Sequence, residues 1–388
     1  MRLVILKRKK PLKFARAITA ALSLSTGIII FSVFSAIIGV NPLVVLYTIA
    51  STFTFYGVVR DFILLTLLGY ALLIAFRGSL WNIGAEGQMH MAFIASVYVS
   101  IILFYTTSHT MPLLNALGVI ALSLLLATLA GALWGGLAGV IKAYTGVDEV
   151  PVTLILNYIA YYIGNILVYG PFRGKYVWGY VRTDLMPDPY RIDLSVSIQG
   201  TGNVVVDTLL FFAKEFATYT VWIIALIAII AFTYWLFNKT TIGLRIKILG
   251  SNPDYLVTLG YDTRKLIVLT FAISGGLAGL TAGLYLHGSL LRLEYPLEYQ
   301  TAGYGYFAIL VAWLSQLDIA LVPISAYIVS ALLLGSQRVS ALSEVKEAFS
   351  RAGLGGGELA FRLLMFGSIL LAYSILRFIQ DYEIKVVK

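Results

Sequence analysis

Apolar residues in this chain come in long unbroken blocks separated by charged and polar clusters. A helix needs about 20 such residues to cross the hydrocarbon core of a bilayer. Residues 17–40, 113–141, 150–169, 218–237, 266–290, 319–336 and 359–376 meet that requirement, and 88–105 falls just short of it. Their apolar positions are continuous and not spaced along one helical face, which predicts helices whose solvent is lipid. Two further blocks do not reach. The first, 62–76, is bounded by Arg60 and Asp61 before it and by Arg77 and Gly78 after it, and would rise only about 22 Å. It runs into FRGSLWNIGAEGQ, where Gly78, Gly84 and Gly87 are interspersed with Asn82, Glu86 and Gln88. The second, 302–315, opens on Gly303 and Gly305 and ends in Gln316 and Asp318. Short apolar helices flanked by glycine and polar side chains predict discontinuous membrane segments, whose irregular backbone is tolerated only under cover of protein or water. One in each half of the chain suggests a transporter of two related halves around a central pathway.

The predicted architecture is therefore an all-α polytopic membrane protein of about ten transmembrane segments, two of them short or discontinuous. Composition agrees: 59% of residues are hydrophobic and 12% charged, against about a quarter charged in a soluble domain. The net charge of +9 matters mainly through its location. Arg2, Lys7, Arg8, Lys9, Lys10, Lys13 and Arg16 precede the uncharged run 17–40, so the positive-inside rule puts residues 1–16 in the cytoplasm. A membrane flank accounts for this basic run without nucleic acid, and the run after it is too long for the core of a signal peptide. Alternating sides from that end gives one membrane domain over 17–380, an external loop at 170–217, a cytoplasmic loop at 239–265 and a cytoplasmic tail at 381–388. Residues 41–60 fit an interfacial or re-entrant piece. The external loop strains the rule with Arg173, Lys175, Arg182 and Arg191, partly offset by Asp184, Asp188, Asp193 and Asp207.

Glycines four apart, Gly131, Gly135 and Gly139, then Gly275, Gly279 and Gly283, mark helix faces that admit a second backbone closely, for packing within the chain or between chains. In the cytoplasmic loop, Asn252 suits an N-cap, Pro253 the first helical position, Asp254 the positive helix end and Gly260 a left-handed stop. The result is a helix of about two turns, which needs packing or a docked protein to hold it.

Catalytic chemistry is hard to build from these residues. There is no cysteine, and the three histidines, His90, His109 and His287, are scattered without metal-ligand spacing, so no metal or cofactor is expected. GPFRGK at 170–175 resembles a phosphate loop only loosely, since Tyr176 follows Lys175 where Ser or Thr would hold Mg²⁺. Intramembrane carboxylates are nearly limited to Glu86, too few for a proton relay. If transport is active, its energy comes from a partner. Candidate polar groups for a solute pathway are Asn82, Glu86, Gln88 and Asn157, with Tyr304 and Tyr306 as aromatic faces. For Gln88 and Asn157, hydrogen bonding between helices is an equal alternative.

From about Leu12 to Gln380 the chain resembles the permease subunits of ATP-binding-cassette importers for simple sugars and nucleosides, which are related to those for branched-chain amino acids. WNIGAEGQMHM at 81–91, GVDEVPVTLILNYIA at 146–160 and GLRIKILGSNPDYLVTLGYD at 243–262 carry the likeness, in order and spacing with the Gly303 to Phe307 segment. The resemblance implies ATPase subunits inside the cell membrane, a second and often non-identical permease chain, and an extracytoplasmic substrate-binding protein. It also implies that the 253–260 segment, with Gly250, Asn252, Pro253, Asp254 and Gly260, is a coupling helix seated on the ATPase. The NIGAEGQ form tilts the substrate toward nucleosides. Tyr304, Tyr306 and Trp313 depart from the family pattern, as does the Tyr-rich external loop, and both bear on substrate choice. Rival readings are a permease of this type for another solute such as a branched-chain amino acid, an ion-coupled secondary carrier working alone, or a membrane-embedded enzyme.

Overall fold

The computed structural model describes residues 2–7, 15–53, 56–107, 111–192, 206, 210, 213–214, 217–351 and 358–387. Arg8, Lys9, Lys10 and Lys13 of the basic run, His109, and Asp193 and Asp207 with most of 193–216 lie outside the described residues. In chain order the elements are β1 (Arg2–Lys7), α1 (Ala15–Ile37), α2 (Pro42–Thr52), α3 (Val59–Arg77), α4 (Ala85–Val97), α5 (Leu113–Thr145) and α6 (Glu149–Tyr169). After α6 and the loop that follows it come α7 (Thr220–Lys239), α8 (Thr241–Ser251), α9 (Pro253–Thr258), α10 (Thr263–Tyr285), α11 (Tyr304–Leu314), α12 (Val322–Ala341), α13 (Ser343–Arg351), α14 (Glu358–Asp381) and β2 (Tyr382–Val387). Among the described residues seven stretches are long and apolar enough to cross a membrane: α3, α4 with its π-helical continuation to Leu103, α5, α6, α7, α10 with its continuation to Leu290, and α12. Helices α1 and α14, of 23 and 24 residues, have comparable length. Apart from the strand pair β1–β2, the described chain is helical, and it is a multi-pass membrane protein.

The chain divides into two compact units, Met1–Val59 with Tyr327–Lys388, and Arg60–Ala326. In the first unit β1 and β2 pair antiparallel, Arg2 opposite Val387 and Lys7 opposite Tyr382, so the two chain ends meet. Helix α1 packs along α14, close enough that a Cβ on Gly27 would meet the Ile369 backbone. The predicted interfacial piece holds the short helix α2, capped by the Asn41 side chain on the Leu43 N–H at 2.9 Å.

In the second unit the two glycine rows face each other. A Cβ on Gly131 would lie 2.8 Å from the Gly279 Cα, and one on Gly135 would lie 2.5 Å from the Phe271 carbonyl oxygen. Gly139 likewise faces the Val268 Cα, while Gly275 meets Gly131 and Gly283 meets Leu124. These are contacts between α5 and α10 of one chain. The backbones approach closely because no side chain intervenes, which is how helices associate when lipid removes the hydrophobic drive.

The two interrupted segments differ in kind. Helix α3 is interrupted after its end but is not short. Its 19 residues rise about 28 Å, because Arg60 and Asp61, which bound the apolar run, lie inside its first turn. Asp61 is buried there, paired with Arg60 at 2.9 Å and accepting the Tyr304 phenol at 2.7 Å. Helix α11 is short, at 11 residues, and follows a stretch from Leu291 to Gly303 with no α-helix, only a 3-10 turn at Leu297–Tyr299.

Candidate functional site

The turn between α3 and α4 is built from its own polar groups. Ser79 adopts φ +52° and donates its hydroxyl to the Gly250 carbonyl at 2.8 Å. The Trp81 N–H donates to Glu149 Oε1 at 3.0 Å, and Glu149 Oε2 pairs with Lys142 at 2.7 Å. Asn82 is fully used: its Oδ1 accepts from the Gly84 N–H and from Gln88, and its Nδ2 donates to the Ser274 hydroxyl at 2.9 Å. Asn157, on α6, accepts the Gly87 N–H at 2.7 Å and donates to the Ile83 carbonyl and, at 3.4 Å, to the Tyr306 oxygen. Four elements thus converge on seven residues of irregular backbone, where the Glu149 and Asn82 side chains satisfy the Trp81 and Gly84 N–H groups and backbone carbonyls accept from Gly78, Ser79, Leu80, Asn82 and Ile83.

Beyond this turn the N-termini of α4 and α11 meet head to head. Glu86, in the first turn of α4, accepts the Gly305 N–H at 3.0 Å through Oε1. Only glycine fits at 305, since a Cβ there would stand 2.7 Å from the Glu86 backbone nitrogen. Both helix ends present partial positive charge, which favours the carboxylate in a site that otherwise penalises it. Glu86 is 4% exposed. Its Oε2 has no hydrogen-bond partner of good geometry, although the Thr301 hydroxyl and the Tyr306 N–H face the carboxylate. The Trp134 Nε1, beside Gly87, is also unpartnered. One turn further along, the His90 ring nitrogens lie 2.7 Å from the Glu86 carbonyl oxygen and 3.0 Å from that of Leu297.

The predicted pathway residues therefore come together, with different exposures. Asn82, Gln88 and Tyr304 are buried and spend their polar atoms on neighbours, whereas Tyr306 is 36% exposed. Trp313 stands edge-on to Trp81 at 5.4 Å, so the end of α11 returns to the α3–α4 turn. His287 is held between the Tyr190 carbonyl and the Ser123 hydroxyl, each at 2.7 Å. Because a carbonyl only accepts, Nδ1 carries the proton and Nε2 receives the serine.

The loop helix forms as its residues dictate. Asn252 caps α9 by accepting the Tyr255 N–H at 3.2 Å, Pro253 is its first residue, and Gly260 takes φ +78° just past its end. Leu256 is buried, while Tyr255, Val257 and Leu259 are more than half exposed. Gly250, just before the helix, lies against Gly78, whose carbonyl carbon a Cβ would meet at 3.0 Å. Burial, reinforced by the nearby Arg77 guanidinium, holds the Lys247 ammonium of α8 below the usual lysine range.

Sequence reading missed Asp61, Glu149 and the tyrosines of α6. Asp61 and Glu149 stand at the edges of apolar runs, where charge reads as a boundary. The tyrosines carried a signal: in NYIAYYIGNILVY, Tyr158, Tyr162 and Tyr169 fall four and seven apart, on one helical face.

The family described as the branched-chain amino acid transport system / permease component matches residues 53–373. A glucose ABC transporter permease of Haloferax volcanii is 26% identical over 294 residues, covering 75% of this chain and 71% of the relative. A guanosine ABC transporter permease of Bacillus subtilis is 30% identical over 280 residues, 71% of this chain and 70% of the relative. A second guanosine permease of the same organism is 29% identical over 235 residues, 60% and 66% of the two chains. No solved structure matches the chain at a significant level.

Proposed function

The chain belongs to the branched-chain amino acid transport system / permease component family, and from that premise we propose that it is the permease subunit of an ATP-binding-cassette importer for nucleosides or simple sugars. The observation that carries the mechanism is the contact between Gly250 and the α3–α4 turn. Helix α9, seated on a cytoplasmic ATPase, moves when the ATPase closes. Gly250 and Ser79 pass that movement to the turn, and the turn holds Glu86 at the junction of α4 and α11. Two states of this junction open the pathway to one side or the other.

In this reading the partly exposed Tyr306 faces the solute, while the buried Glu86, Asn157, Asn82, Gln88 and Tyr304 stand behind it and hold the shape. The exposed Tyr255, Val257 and Leu259 supply an apolar surface for the ATPase, to which hydrolysis belongs. A non-identical second permease is supported by the two guanosine permeases found in one organism, and an external binding protein delivers the solute. Both termini are cytoplasmic: the basic flank supports the side, and the pairing of β1 with β2 supports a common side.

The test is purification of the tagged chain from its native membrane, followed by reconstitution. The expected result is recovery with an ATPase and a second permease, and ATP-dependent uptake of a nucleoside or sugar in vesicles. Uptake by the isolated chain driven by an ion gradient alone would instead establish a secondary carrier.

A further inference from the structure

Two buried histidines face opposite demands. His287 lies between a carbonyl and a hydroxyl, so a single ring proton satisfies both neighbours. His90, 2% exposed on α4, lies between two carbonyls, with Nδ1 at 2.7 Å from the Glu86 oxygen and Nε2 at 3.0 Å from the Leu297 oxygen. A carbonyl only accepts, and a neutral imidazole has one N–H. Either neutral tautomer therefore turns a lone pair on a carbonyl oxygen in a buried site, where an unmade hydrogen bond is costly. Only the doubly protonated ring donates to both.

The surroundings offset the burial of that cation. Glu86 precedes His90 by four residues on α4, the spacing at which side chains on one helix face meet, and an acid N-terminal to a base is the favoured order. The Tyr161 ring of α6 is centred 5.9 Å from the imidazole, within the distance at which an aromatic ring favours a cation. The other ionisable groups around the pair are Tyr285 on α10 and Tyr306 on α11, both near Glu86, and Glu298 beside Leu297. Helix α5 packs there through Trp134 and Gly135, neither of which ionises. The Leu297 turn is itself pinned, since its N–H donates to Asn165 Oδ1 of α6 at 2.8 Å, and it leads through Thr301 and Gly303 into α11. Helix α4 thus holds the approach to α11 at two points, accepting from Gly305 through Glu86 and donating to Leu297 through His90.

We propose that His90 is a positioning residue held as an imidazolium, which clasps the Leu297 turn to α4 and balances the Glu86 charge within the chain. The inference rests on the permease reading for the use made of the junction, and it adds that the carboxylate needs no transported cation as its counter-charge. The charged ring is the low-pH form, so the clasp is complete at low pH and loses one of its two hydrogen bonds as rising pH removes a ring proton. Glu86 then stands unbalanced in the same step.

The test reads the ring nitrogens directly. The assembled transporter, grown on nitrogen-15 histidine and carbonyl-labelled carbon-13 leucine, is placed in nanodiscs for solid-state NMR at neutral pH, where protonated and bare ring nitrogens resonate far apart. His90 is identified by the contact of its Nε2 with a leucine carbonyl, and by the loss of its signals in His90→Gln. The expected result is two protonated nitrogens at His90 in the unmodified transporter and one bare nitrogen in Glu86→Gln. In parallel, His90→Gln lowers ATP-dependent uptake at least fivefold with the ATPase and second permease still bound. A bare His90 nitrogen in the unmodified transporter overturns the proposal; so do two protonated nitrogens that survive Glu86→Gln, and so does wild-type uptake by the assembled His90→Gln variant. The NMR reading needs no turnover, so a failure of ATP-dependent uptake by the unmodified transporter counts against the permease reading separately.

Discussion

At the scale of single residues, Glu86 decides most. Its carboxylate is held where two helix N-termini meet, one oxygen on the Gly305 N–H and the other buried near the Thr301 hydroxyl and the Tyr306 N–H. Gln keeps an oxygen for Gly305 but loses the charge that both helix ends favour. Glu86→Gln is therefore expected to lower ATP-dependent uptake at least tenfold while the second permease and ATPase still co-purify. Wild-type uptake kinetics in that variant would make Glu86 a structural residue. That the carboxylate needs a compensating environment was legible from the sequence, because a buried acid in an apolar segment is costly. Its partner was not, since Gly305 is 219 positions away and nothing local relates the two.

At the scale of elements, two features turn on glycine for different reasons. Gly260 ends α9 at φ +78°, a conformation in which a β-branched residue is strained by roughly 1–2 kcal/mol. If α9 couples the ATPase to the pathway as proposed, Gly260→Val should deform it and uncouple the two: the ATPase continues to turn over, and uptake in reconstituted vesicles falls severalfold. Unimpaired uptake would remove α9 from the coupling path. Gly135 permits close packing of α5 on α10, and a side chain there meets the Phe271 carbonyl oxygen, which cannot step aside. Gly135→Val is expected to cost about 1–3 kcal/mol, visible as a lower Tm of the detergent-solubilised complex, whereas the same change at Gly118, which has open space, should leave Tm unmoved. The capping residues of α9 were readable because a cap is a local interaction. The pairing of the glycine rows was only half readable: spacing marks a face but does not say which helix covers it.

At the scale of the whole molecule, the antiparallel pairing of β1 with β2 joins residues more than 370 positions apart and requires both chain ends to lie on one side of the membrane. Single cysteines replacing Lys7 and Lys385 should both label with an impermeant reagent in inside-out vesicles and neither in right-side-out ones; labelling from opposite sides would break the pairing. What the sequence determined by itself was the class of solvent, the number and lengths of most helices, their caps and the two places where a membrane segment is interrupted. Those follow from local chemistry: run length against bilayer thickness, and polar groups against the cost of burying them. Tertiary structure alone decided that Asp61 belongs inside α3, because only the approach of Arg60 and Tyr304 compensates its burial. It alone set Gly250 against the turn and placed Asn157 of α6 between the Ile83 carbonyl and the Tyr306 oxygen. Those contacts link elements distant along the chain, and their energies depend on which backbones the close packing of α4, α5, α6 and α10 brings within a hydrogen bond of one another.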